Sequence, residues 1–164
     1  MSAGAIADKK NSIVSVDNIS AMAADTNMFV TMSVAGQKFG IPVLKVRDVL
    51  RSPKITNVPL APPEVVGSLN LRGRIVTAID VRKRMGLPKF EESEKSMSIV
   101  VEQEGELYSL IVDKIGDVMR LPSVDFEQNP STLDPIWRGV SDGIYRLEND
   151  LLIVLSVERM LSIG

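Results

Sequence analysis

The stretch Gly36-Gln37-Lys38-Phe39-Gly40-Ile41-Pro42-Val43-Leu44-Lys45-Val46-Arg47-Asp48-Val49-Leu50-Arg51-Ser52-Pro53 returns 69 residues later. Its second copy reads Gly105-Glu106-Leu107-Tyr108-Ser109-Leu110-Ile111-Val112-Asp113-Lys114-Ile115-Gly116-Asp117-Val118-Met119-Arg120-Leu121-Pro122. Seven of the 18 aligned positions are identical: a Gly, a Val, a Lys, an Asp, a second Val, an Arg and the closing Pro. Phe39 falls on Tyr108 and Ile41 on Leu110, so apolar positions are matched between the identities. Further along the offset grows. Gly67 then meets Gly139, and the strand and helical turn ending at Met85 meet those ending at Leu161. A repeat of this kind constrains the fold before any motif does.

Working outward, Met28, Val30, Met32 and Val34 alternate with Phe29, Thr31 and Ser33, the period of a strand. Ala35-Gly36-Gln37 is a turn, and Phe39 to Val43 forms the return strand. Val43, Leu44, Val46, Val49 and Leu50 carry a helix-like spacing over two turns, with Pro53 as the stop. Ile55 to Val58 reads as a short strand, followed by a loop set by Pro59, Pro62 and Pro63. Gly67 to Leu71 and Arg74 to Ile79 form a hairpin about Arg72-Gly73. Asp80 takes the N-cap position of a helical turn that ends at Gly86. Leu87 to Ser96 is a polar connector. After it come strands at 98–101 and 107–112, a hairpin of 137–146 with 151–155, and a turn capped by Ser156. Each half therefore offers about five short strands and short helical turns. Five short strands in an open sheet leave free edges, and closure into a small barrel removes them. The expected fold is mainly β with two pseudo-repeated barrels; a single β-sandwich with similar hairpins is the alternative. Residues 1–27 read as a flexible tail. The folded part is 28–162, with a first barrel at about 28–88 and a second at about 96–162.

The chain has 164 residues, with no Cys and no His. Disulfides, Cys- or His-based zinc sites, catalytic triads and phosphohistidine relays within the chain are excluded. The net charge of −2 argues against a protein built to hold phosphate backbones. The start has small residues before Lys9-Lys10, the wrong order for a signal peptide, and the apolar runs are too short to span a membrane.

The run Gly40 to Val49 resembles the first signature of CheW-like domains. Ile55 to Pro59, the Pro-rich loop and Gly67-Ser68-Leu69-Asn70-Leu71-Arg72-Gly73 resemble the second, completed by Arg74 to Val76 and Ile79 to Arg82. Leu110 to Val118, Gly139 and Ile153 to Leu161 match in the second half. Leu155-Ser156-Val157 departs from the family's usual Leu-Asp-Val, and Ser caps a turn nearly as well. The resemblance covers about 28–162. It implies two five-stranded SH3-like barrels sharing an apolar interface. It also implies a non-catalytic, cytoplasmic adaptor, recruited to membrane receptor arrays, that couples chemoreceptor signalling tips to the regulatory domain of a CheA-type histidine kinase. No cofactor, metal, nucleic acid or membrane insertion is implied. The expected receptor-binding groove, lying between the barrels, comprises Val46, Asp48, Gly67, Asn70, Leu71, Arg72 and Gly73. Asp48, expected on a short helical segment, and Arg72 form an ion pair within it. Partial burial of that pair is expected, with a cost of about 3–5 kcal/mol for removing one partner if truly buried. Val49, Val66 and Leu69 are further apolar positions near the pair.

Two other classes compete. An enzyme would draw on Asp113, Asp117, Asp134 or Asp142, yet Asp117 repeats Asp48, which favours a structural role shared by both halves. No P-loop or Gly-rich dinucleotide fingerprint accompanies them. A single-strand nucleic-acid-binding barrel would draw on Arg72, Arg74, Arg82, Lys83 and Arg84, but the chain has only seven aromatics to stack on bases.

Overall fold

The computed structural model describes residues 28–51, 55–91 and 95–162. The proposed tail, 1–27, lies outside them. The strands are β1 (Met28–Val34), β2 (Gln37–Pro42), β3 (Val46–Arg51), β4 (Val65–Leu71), β5 (Arg74–Asp80), β6 (Met97–Gln103) and β7 (Glu106–Val112). Then come β8 (Lys114–Arg120), β9 (Ser141–Arg146) and β10 (Leu151–Leu155). Three short helices, α1 (Val81–Met85), α2 (Pro135–Arg138) and α3 (Val157–Met160), and two 3-10 turns, Val43–Lys45 and Ser123–Asp125, complete the described body. Three of the hairpins turn on a residue followed by Gly with both φ angles positive: Ala35-Gly36 at 53° and 83°, Arg72-Gly73 at 52° and 84°, Glu104-Gly105 at 53° and 80°. That is the backbone of the two-residue turn whose twist matches antiparallel strands.

Two five-stranded sheets result, in the orders β9-β10-β2-β1-β8 and β3-β6-β7-β5-β4. Each sheet takes the opening hairpin of one repeat and the last three strands of the other. The expected division into barrels at about 28–88 and 96–162 is therefore corrected. The first barrel uses 28–42 and 114–155, the second 46–112. The reason lies in the two links between hairpin and third strand. One is a 3-10 turn, Val43–Lys45, and the other is the single residue Asp113. Neither folds the chain back, so the strand that follows enters the other sheet.

The segment predicted as helical over Val43 to Leu50 is this 3-10 turn followed by strand β3. Residues Val46 to Arg51 alternate half-buried and exposed, a period-two pattern that the β-branched Val46 and Val49 favour. Trp137 is likewise in α2, not in a strand. Ile55 to Val58 contributes one bridge, Thr56 to Ser68.

That bridge closes the second barrel. Ser68 is on β4, at the far end of the sheet order from β3, and Thr56 follows β3 in the chain. Thr56 and Ser68 exchange two backbone hydrogen bonds of 2.7 and 2.8 Å. The first barrel closes in the same way after β8, where Glu127 pairs with Ile144 of β9 at 2.9 and 2.8 Å. Each closure has a glycine beside it. A Cβ on Gly67 would run into the Thr56 carbonyl oxygen, and one on Gly143 into the Phe126 ring and the Glu127 carbonyl oxygen. The repeat partner of Gly67 is thus Gly143, not Gly139; both strands also have an irregular register at that point.

The core has three parts. Phe29, Tyr145, Leu152 and Val154 fill the first barrel; Leu69, Val76, Ala78, Val100 and Leu107 fill the second. A larger cluster, including Met32, Phe39, Ile41, Ile99, Leu110 and Ile153, joins one barrel to the other. Shared apolar burial of this kind dominates the stability of such folds.

Candidate functional site

Asp48 lies on β3 and Arg72 on the β4–β5 turn, at opposite ends of the second sheet's strand order. Arg72 Nη1 stands 3.2 Å from Asp48 Oδ2, so the pair spans the seam of the second barrel rather than lying in the expected groove between the barrels. The Asp48 side chain is 23% exposed but that of Arg72 is 76% exposed. The expectation of a partly buried pair is corrected to a surface one. Exposed pairs of this kind contribute about 0.2–1 kcal/mol. The other Asp48 oxygen, Oδ1, accepts from the Val49 amide at 2.8 Å.

Arg72 is a non-glycine residue in the left-handed region, a conformation that costs a side-chain-bearing residue free energy. Asn70 supports the turn, its Oδ1 accepting from the Gly73 amide at 3.0 Å. Leu71 is half-buried against the second barrel's filling, and Val46 against the core shared by both barrels. Gly67 is buried, and the Thr56 backbone gives it a structural role. Val66 and Leu69 belong to the barrel filling. Two exposed apolar side chains flank the pair: Val49, next to Asp48, and Ile75, paired with Asn70 and 71% exposed.

Three of the four carboxylates weighed for catalysis have other work. Asp134 caps α2 through the Ile136 amide, and Asp142 pairs with Arg159. Asp113 is held by Arg82, whose Nε and Nη2 donate to its two oxygens at 2.9 and 2.7 Å. Asp117 does not share the role of Asp48. Its carboxylate has no ion-pair partner among the described residues, and its backbone carbonyl accepts from Thr31 Oγ1 at 2.6 Å. The basic cluster is also dispersed. Arg84 donates to the carbonyls of Arg159 and Met160, and Arg74 to that of Gly105. Phe29, Phe39, Trp137 and Tyr145 are buried, so they offer no stacking platform for bases.

Sequence reasoning missed the most enclosed ion pair described, Arg82 with Asp113, whose side chains are 16% and 8% exposed. Burial pushes the Asp113 carboxyl up. The Arg82 hydrogen bond, the Ala35 amide at 2.8 Å and the charges of Arg82 and Lys114 outweigh it and hold the group below its ordinary range. The same bond to Asp113, opposed by burial and helped by the charges of Asp113 and Asp80, raises Arg82. Arg82 Nη1 also donates to the Pro88 carbonyl, and the Phe90 ring lies 5.1 Å from its guanidinium carbon.

Residues 28–163 match the family model described as the CheW-like domain. This chain belongs to the CheW-like domain family. The family gives it the role of a chemotaxis adaptor, a scaffold and not an enzyme. It is 28% identical over 132 residues to the chemotaxis protein CheW of Bacillus subtilis, covering 80% of this chain and 85% of that one. It is 25% identical over 120 residues to protein PilI of Pseudomonas aeruginosa, covering 73% and 67%. Among solved structures it is similar to the scaffolding protein TtCheW of Thermoanaerobacter tengcongensis. The TM-score is 0.76 and the identity 28%, over 85% of this chain and 94% of that one. As a CheW-like protein it carries the two SH3-like barrels of the family, and the single-strand nucleic-acid reading is not favoured. Among the described residues no helix is long and apolar enough to cross a membrane.

Proposed function

We propose that the seam of the second barrel is the receptor-binding surface of this CheW-like adaptor. It takes the helical-hairpin tip of a chemoreceptor, and the barrel ends meet the regulatory domain of a CheA-type histidine kinase. The protein then works in the cytoplasm, recruited to membrane receptor arrays. Asp48, Arg72 and the Asn70–Gly73 turn form the polar part of the site. Val46 and Leu71 support it from below, Gly67 fixes the strand beneath it, and Val49 and Ile75 supply exposed apolar anchors. Apolar anchors beside a polar rim suit an amphipathic helix laid in a groove.

The observation that carries this reading is Arg72 itself. It occupies a left-handed turn position that Asn or Gly would fill at lower cost, and its exposed ion pair adds little stability. Ala35 and Glu104 hold the same turn position elsewhere, so what sets Arg72 apart is its exposed guanidinium facing Asp48, with the exposed Val49 and Ile75 beside the pair. The test is co-sedimentation with receptor-containing membranes and a CheA-type kinase. Arg72→Ala, folded as judged by circular dichroism, is expected to lose receptor binding at least about tenfold while still binding the kinase. Unchanged receptor binding by the folded variant would refute the assignment.

A further inference from the structure

Behind the crossover between the barrels lies a cavity of about 400 Å³. This is within the range of small-molecule sites, about 300–1,000 Å³. Leu87, Phe90, Ile111 and Val112 supply an apolar lining, and Ser96 brings a hydroxyl. Both carboxylates at its wall are already occupied. Asp80 caps α1 through the amides of Arg82 and Lys83 at 2.9 and 3.3 Å, and Asp113 is bound by Arg82 and Ala35. Arg82 is spent on Asp113 and the Pro88 carbonyl. The cations left are Lys83 and Lys89, both exposed cavity-lining residues whose ammonium groups have no ion-pair partner among the described residues. Over the whole lining three cations, Arg82, Lys83 and Lys89, stand against two carboxylates, Asp80 and Asp113, so the wall carries a net charge of +1.

The repeat shows that the fold does not need this arrangement. In the other half Ser156, Glu158 and Arg159 replace Asp80, Arg82 and Lys83, and exposed Leu44 replaces Asp113. There Arg159 is neutralised by Asp142 at 2.9 Å. The charged residues that line the cavity in one copy of the duplicated unit are thus replaced in the other.

We propose that this cavity binds a small amphipathic anion: a flat apolar body carrying one phosphate or carboxylate. The body packs against Phe90, Leu87 and Ile111, and the head is held by Lys83 and Lys89. The site lies apart from Asp48 and Arg72, so it does not depend on the receptor-binding reading.

The probe is 1-naphthyl phosphate, titrated into the 15N-labelled full chain and followed by amide chemical shifts. Saturable shifts are expected at residues 80–90 and 111–113. The neutral 1-naphthol and inorganic phosphate should each bind at least about tenfold more weakly, because each lacks one half of the recognition. The double variant Lys83→Gln with Lys89→Gln changes only exposed side chains and should lose about tenfold in affinity. Arg72→Ala should bind the probe normally. No saturable binding, equal binding of 1-naphthol, shifts mapping elsewhere, or an unaffected double variant would each overturn the proposal.

Discussion

The two barrels share a strand order, a closing bridge and a glycine beside that bridge, yet their seams differ. At the second barrel's seam Asp48 faces Arg72 on a tight turn. In the first barrel Asp117 holds the place of Asp48, but Glu148 and Asn149 stand where Arg72 and Gly73 stand in the other. Neither has a positive φ, and the hairpin closes instead through a bond of 2.8 Å from the Leu147 amide to the Asp150 carbonyl. The fillings differ as well: Phe29 and Tyr145 occupy positions that Ser98 and Leu69 hold in the second barrel. What both barrels keep is what closure requires. What only one keeps, the Arg72 turn on one side and the Asp113 crossover on the other, is where the copies have been put to separate uses.

The sharpest test of the common part is a methyl group at each closing glycine. Gly67→Ala and Gly143→Ala force a side chain onto backbone already in place. Each is expected to cost about 3 kcal/mol or more, read as a drop in the urea midpoint. If Gly67→Ala folds normally but loses receptor binding, the glycine belongs to the site and the shared-closure account fails.

Next comes the crossover. Asp113→Asn leaves Arg82 without its counter-charge and should cost about 3–5 kcal/mol, while Leu44→Ala at the equivalent position should cost at most about 0.5 kcal/mol. The pH dependence follows from the lowered Asp113 value. The folded carboxyl ionises at lower pH than the unfolded one, so its contribution is whole above about pH 3.9 and is lost as the pH falls below it. Thermal unfolding between pH 5 and pH 2 should therefore be less pH-dependent in Asp113→Asn than in the parent. Parallel pH curves would contradict the assignment.

The fold is largely legible in the sequence. Alternating apolar residues mark β1, and a residue followed by Gly marks three of the hairpins. What pairing similarity cannot express is which sheet a strand joins, so the exchange of strands between the halves was hidden. Gly143 was missed as the partner of Gly67 because the segment from Glu127 to Gly143 is longer than that from Thr56 to Gly67. Val43 to Leu50 was read as helical because apolar residues at the 3-10 turn and along the edge strand happen to fall at helical spacing. Asp48 and Arg72 were legible only through the resemblance, since no local pattern joins residues on a strand and a distant turn. Arg82 and Asp113 stand out singly in the sequence, but nothing in it joins them as a pair. They lie 31 residues apart, and the repeat holds a different residue at each equivalent position.

Smaller effects probe the seam itself. Arg72→Asn suits the left-handed turn and removes only an exposed pair, so its stability should stay within about 1 kcal/mol of the parent by chemical unfolding. A loss well beyond that would make the pair structural. Smallest of all, Glu148→Arg copies the charge arrangement of the second seam onto the first. It should change stability by no more than about 0.5 kcal/mol and should not restore receptor binding to Arg72→Ala. Restoration would mean that the two seams are interchangeable.

The exchange of strands also decides what can be cut. A break in the backbone between α1 and β6 yields one fragment with β1 to β5 and another with β6 to β10. Neither fragment holds a complete barrel, since each sheet draws on both. Expressed separately, the fragments should remain unstructured; mixed, they should assemble into the whole. The repeated unit is here one half of a lock that needs the other half to close.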